Sequence, residues 1–139
     1  MGIGGRGTSY PNGFSESALK VVIDTNILVD YLQGRDAARE ELARHDRPGI
    51  SLITWMEVLI GAKDEDDAQI LRRFLMRFPT LPIDGEVAEL AVELRRTHRI
   101  RLPDAIIWAT ARSANRLLIT RNTRNFPATD PGVRVPYER

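Results

Sequence analysis

The chain reads as an α/β protein, a three-layer α/β/α sandwich around a mostly parallel central sheet. Short β-branched or apolar runs recur along it, and the stretches between them carry apolar residues at helical spacing. Such βα alternation lays helices on the faces of a parallel sheet. At 139 residues, 42% of them hydrophobic, the chain has room for one domain with a core.

Val21, Val22 and Ile23 make the first strand, 21–23. Thr25 and Asn26 favour a helix start, so a helix is expected at 26–33, ended by Gly34 and followed by another at 35–44. Ile50 to Ile53 reads as a second strand, 50–53. Thr54 then opens a helix at 55–62, with Glu57 placed to complete a capping box. A helix at 66–78 carries an apolar stripe of Ile70, Phe74, Leu75 and Phe78 beside Arg72, Arg73 and Arg77. That stripe is read as core or as an interface. A strand at 81–83 leads to a helix at 85–98, on which Val87, Leu90, Ala91 and Leu94 fall on one core-facing side. Pro103 suits the first turn of the next helix, 104–115, and strands at 117–120 and 133–135 complete the series. Residues 1–19, rich in Gly, Ser and polar side chains, are expected to form a disordered tail, leaving 20–139 as the folded domain.

Three acids stand out against this frame. Asp24 ends the first strand, Glu57 is expected near a helix amino terminus, and Asp104 lies in a first helical turn. In an open parallel sheet, helix amino ends gather beyond the carboxyl ends of the strands, where such folds build their sites. Acids distant in sequence can therefore converge into a carboxylate cage for a divalent metal. Taken singly, each acid is equally explained as a capping or first-turn residue favoured by the helix dipole. Capping alone does not explain why all three adjoin strand ends or buried loops.

Four runs occur in order: VIDTNILVDYL, ISLITWMEVLIGA, HRIRLPDAIIWATA and LLITRNTRNFPATDPGVRV. Through them, from residue 21 to about 137, the chain resembles the PIN-domain ribonucleases, and within these the VapC and FitB type toxins of toxin–antitoxin pairs. The resemblance implies a PIN-like sandwich and a metal-dependent endoribonuclease that hydrolyses RNA phosphodiester bonds with Mg²⁺ or Mn²⁺. It matches Asp24, Glu57 and Asp104 to the acidic catalytic and metal-binding positions. Thr25 and Asn26 match residues that brace the first acid, and Thr120 supports the site. It also implies a cognate antitoxin whose tail enters the active-site groove, and a homodimer. Family members often carry a fourth acid in the segment 120–126, where this chain has Asn122 and Asn125. An amide oxygen can still ligate a hard cation but brings no charge, so Asn122 is a possible ligand or simply a turn residue. The same departure raises an alternative, a catalytically weak PIN-fold module that binds RNA or its antitoxin.

Composition narrows the chemistry further. With no cysteine there is no disulfide, thiolate zinc site or cysteine nucleophile. The two histidines, His45 and His98, cannot build a multi-histidine centre and are expected to be solvated. Hard oxygen donors without soft partners favour Mg²⁺ or Mn²⁺ over zinc or copper. The net charge is +1, and Lys20 and Lys63 are the only lysines, so almost all positive charge is arginine. Arg99, Arg101, Arg121 and Arg124 flank the Asp104 helix start and the Asn122 turn, where they would grip RNA phosphates or serve as ordinary surface arginines. An Asp24-nucleophile phosphotransferase of the haloacid dehalogenase kind would need a second acid where Asn26 stands. The chain shows neither a secretory signal nor a run of about 20 apolar residues, so a cytoplasmic protein with no membrane contact is expected.

Overall fold

Val21, Val22 and Ile23 are all but completely buried, which marks β1 (Val21–Ile23) as the middle of a sheet rather than its edge. In a computed structural model of the chain, which describes residues 20–138, β1 is followed by α1 (Thr25–Leu32), α2 (Asp36–Ala43) and β2 (Ile50–Ser51). Next come α3 (Leu52–Ile60), α4 (Glu65–Leu75) and β3 (Thr80–Leu81). The series ends with α5 (Gly85–His98), α6 (Leu102–Ser113), β4 (Leu117–Ile119) and β5 (Val133–Arg134). The expectation for residues 1–19 lies outside the described residues.

Among the described residues every strand pairing is parallel. β1 pairs with β4 in the register Val22↔Leu118, β4 pairs with β5, and β2 pairs with β3. A parallel bridge between Val22 and Gly49 joins the two groups, through Ile23 N to Gly49 O at 2.8 Å and Gly49 N to Val21 O at 3.0 Å. The strand order is therefore 3-2-1-4-5. The chain builds outward from β1 on one side, then returns to build on the other, which puts a topological switch point between β1 and β4.

Two apolar clusters cover the sheet. Val22 and Leu118 pack with Val87, Ala91 and Leu94 of α5 and with Ile107, Trp108 and Ala111 of α6. Val21, Ile23 and Ile119 pack on the other side with Ile27 and Leu28 of α1, Val58 of α3, and Leu71, Phe74 and Leu75 of α4. Alternate residues along β1 thus serve opposite layers, as the period-two pleat requires.

The sequence reading holds for the kind and order of the elements and slips at several ends. The second strand is two residues long, because the Ser51 side chain accepts from Ile53 N and starts α3 at Leu52. The expected capping box of Thr54 and Glu57 is therefore absent: Thr54 is in the third position of the helix, and Glu57 lies in its second turn. The strand expected at 81–83 is Thr80–Leu81, and the strand expected at 117–120 stops before Thr120. In α4, Leu71 takes the buried place expected of Ile70, which is 59% exposed. His45 is not solvated. Its ring stands 2.8 Å from the buried Glu41 carboxylate, whereas His98 is exposed as expected, with one face of its ring near Trp108.

Candidate active site

Asp24 is the residue at which β1 becomes α1. Its backbone is extended and its Oδ1 accepts from Thr25 N at 2.7 Å, so it caps α1 and simultaneously closes the carboxyl end of the central strand. Across the switch point, Thr120 occupies the equivalent place after β4 and donates its hydroxyl to Asp24 Oδ2 at 2.7 Å. Asn26 Nδ2 donates to the same oxygen at 3.2 Å and lies 3.4 Å from Thr120 Oγ1. Asn122 N in turn donates to Thr120 Oγ1 at 3.0 Å. The carboxylate is thereby fixed in direction by groups from both halves of the sheet.

Thr25 carries the contact onward to α3. Its Oγ1 donates to Glu57 Oε1 at 2.7 Å and lies 2.9 Å from the buried Thr54 Oγ1. The second-turn position of Glu57 in α3 brings its carboxylate to Thr25 at the start of α1. Asp104 approaches from the first turn of α6, after Pro103, and Asn125 Nδ2 donates to its Oδ2 at 2.6 Å.

The electrostatics follow from burial and like charge. Burial pushes the Asp24 carboxyl up to about 6; the Thr120 and Thr25 hydrogen bonds oppose this, and the charges of Asp104 and Glu57 add to it. Asp104 is also raised, again chiefly by burial, with Arg101 and Asn125 opposing. Among the described residues no ion pair engages Asp24, Glu57 or Asp104. Nor, among them, do three His, Asp or Glu side chains close into a cluster that would hold an ion unaided. The cage read from the sequence is accordingly an open arrangement of acids within electrostatic reach. A buried Asp24 and two partly exposed acids, none in an ion pair among the described residues, present hard oxygens that suit a divalent cation completing its shell with water or substrate oxygens.

The amides divide into two roles. Asn122 is a turn residue, as one of its two readings had it: its Oδ1 accepts from Arg124 N at 3.1 Å and Asn125 N at 3.2 Å, which commits the oxygen that would have served as a ligand. Asn125, which the sequence reading noted only as a departure, is the amide that touches an acid. A groove of about 590 Å³ is lined by Asn26, Arg101, Arg121, Asn122, Thr123, Arg124 and Asn125. Arg101 and Arg124 stand exposed on this groove, whereas Arg99 caps the end of α5 in a left-handed conformation and does not line it. Arg121 lines the groove but is engaged by Asp30, at 2.5 Å from Nε and 3.1 Å from Nη2. Asp30 went unremarked in the sequence. Its signal is an acid on α1 in the turn that also buries Ile27 and Leu28, which requires a cation from elsewhere in the chain.

The PIN domain family matches residues 21–130. Ribonuclease VapC10 of Mycobacterium tuberculosis is 32% identical over 130 residues, covering 86% of this chain and 97% of its own. The tRNA(fMet)-specific endonuclease VapC of Shigella flexneri is 30% identical over 119 residues, covering 78% and 90%. A chain of a toxin-antitoxin complex from Klebsiella pneumoniae superposes with a TM-score of 0.80 at 46% identity, covering 86% of this chain and 99% of that one. No helix among the described residues is long and apolar enough to cross a membrane. The likeness extends through every element that carries the acids, and the chain belongs to the PIN domain family and, within it, to the VapC ribonucleases.

Proposed function

We propose that this chain is a Mg²⁺- or Mn²⁺-dependent endoribonuclease, the toxin of a toxin–antitoxin pair, with Asp24, Glu57 and Asp104 as its metal-holding acids. The observation that carries the reading is the switch-point crevice, where a buried Asp24 is aimed by Thr120 and Asn26 and left without a cationic partner among the described residues. A bound divalent ion would supply a Lewis acid that withdraws charge from a phosphoryl oxygen and steadies the leaving oxygen. Asp24 and Asp104 would hold it, and Glu57 would act through Thr25 or through water. Thr120, Thr25 and Asn26 keep the Asp24 oxygens from turning away. Arg101 and Arg124, exposed on the groove, would offer contacts to substrate phosphates, which fix register without reading sequence.

The Klebsiella relative's structure is a complex with an antitoxin, which supports a cognate antitoxin as the partner here. We assign the same groove as the place where such a partner blocks RNA, and a homodimer as the assembled form. A second reading, binding of RNA without turnover, is favoured by one observation: the amide of Asn125 stands against Asp104 in the segment where relatives often carry an acid.

Incubation of a mixed RNA pool with purified protein in Mg²⁺, Mn²⁺ or EDTA, alongside Asp104→Asn, separates the two. Metal-dependent cutting that disappears in the variant is the expected result. Retention of RNA on the protein with no cutting at any metal concentration would establish the binding module instead.

A further inference from the structure

Asp30 is 5% exposed, and four donors from three parts of the chain converge on it. Arg121 gives it two, from Nε at 2.5 Å and Nη2 at 3.1 Å. Tyr137 Oη donates at 2.9 Å and Arg35 Nη1 lies at 3.5 Å. The Tyr137 ring is stacked under the Arg35 guanidinium, 4.4 Å from its centroid, and Arg35 Nη2 also donates to the Glu138 carbonyl. The described carboxyl-terminal residues are thus fastened to α1 through the same acid that holds Arg121.

Arg121 is the residue after Thr120, and its backbone N lies 3.5 Å from Asn26 Oδ1. Thr120 and Asn26 are the two side chains that donate to Asp24 Oδ2. Fixing Arg121 therefore fixes both. A guanidinium held as a fork by a buried carboxylate has spent its geometry on that carboxylate. Arg101 and Arg124, by contrast, are exposed and form no ion pair among the described residues.

We propose that Asp30 is a positioning residue for RNA cleavage: through the fork to Arg121, with Tyr137 as the third member, it locks the exit of β4 so that Thr120 and Asn26 keep Asp24 aimed. Arg121 is in this view a brace and not a phosphate grip. The inference rests on the hydrolytic reading above. It also makes the residues at 137 and 138 a functional part of the site although they line no part of the groove.

The test is steady-state cleavage of a labelled RNA at saturating Mg²⁺ by wild type, Tyr137→Phe, Arg121→Lys and Asp30→Asn, with KM measured at two salt concentrations and thermal melts on each. Tyr137→Phe removes one hydrogen bond and keeps the ring on Arg35. Arg121→Lys keeps a charge for any phosphate but loses the fork. Positioning predicts that kcat falls roughly tenfold or more in Arg121→Lys and about threefold in Tyr137→Phe, with KM and its salt dependence unchanged. A phosphate grip predicts the reverse: near-normal kcat with raised KM in Arg121→Lys, and a lowered KM in Asp30→Asn as the arginine is freed. That pattern, or unchanged kinetics in both Arg121→Lys and Tyr137→Phe, overturns the proposal. Should Asp30→Asn not fold, these two variants decide alone. A wild type that does not cut would overturn the hydrolytic reading and this role with it, whereas a cutting wild type with unaffected variants overturns only the role of Asp30.

Discussion

Burial sets the Asp24 carboxyl at about 6, against an ordinary value of 3.8, with the Thr120 and Thr25 bonds recovering part of the cost and Asp104 and Glu57 adding to it. Because the folded value is the higher one, stability is greatest with Asp24 protonated, and that contribution is lost as pH rises from 3.8 through about 6. Asp24→Asn keeps a good helix cap and removes the charge. In EDTA at pH 8 it should therefore be more stable than wild type by on the order of 2 kcal/mol, while losing cleavage. Denaturant melts at pH 8 check this, and a variant less stable than wild type would contradict it. Asn125→Asp tests the amide beside Asp104. A carboxylate there adds like charge to an already raised acid, so the metal-free variant should melt lower and bind Mg²⁺ several-fold more tightly in calorimetry, in line with the strength of paired charges in such sites. Asp24 and Asp104 were legible in the sequence because each sits at a boundary that sequence marks well, a β-branched run and a Pro-led helix. Asn125 and Asp30 were not, since their importance is a matter of which distant side chain arrives beside them.

At the scale of elements, α3 shows where local reading fails. Ile50 to Ile53 is apolar and β-branched enough to read as strand throughout, yet the Ser51 hydroxyl supplies a cap that ends the strand after two residues. The competing signals differ by one hydrogen bond, and tertiary packing decides. α2 and β5 are joined by a second buried charge cluster. Glu41 accepts from Arg134 Nε and Nη2, each at 2.9 Å, and meets the His45 ring at 2.8 Å. Burial pushes the Glu41 carboxyl up, but Arg134 and His45 outweigh it and hold the group down to about 2, against 4.5. A depressed folded value contributes stability above 4.5 that is lost as pH falls from 4.5 towards 2. Glu41→Gln should be destabilised at pH 7 by about 1.5 to 3 kcal/mol, because it removes the charge that Arg134 and His45 bond to. Its melting temperature should also fall less steeply than that of wild type between pH 4.5 and 2.5, and parallel pH profiles for the two proteins would refute the assignment.

For the whole molecule, the parallel, helix-covered architecture follows from the alternation of runs, while the order 3-2-1-4-5 depends on a join too small to see in sequence. β1 and β2 meet through one bridge at Gly49. A Cβ there would stand 2.7 Å from Leu81 Cδ1 and 2.9 Å from Arg116 Nη1, so a side chain at this position has to displace the flexible ends of both. Gly49→Ala should cost no more than about 1 kcal/mol, because only those flexible side-chain ends shift, read as a slightly lowered denaturation midpoint with an unchanged slope. The other join, between β1 and β4, has a consequence in time. Asp24 is made early in synthesis, but the hydroxyl that orients it belongs to Thr120, 96 positions later, and the acid that fastens Arg121 waits for Tyr137. A ribosome-bound chain therefore carries its acids without the framework that aims them. Completion of the site thus waits on residues at the far end of the fold, however early its first acid is made.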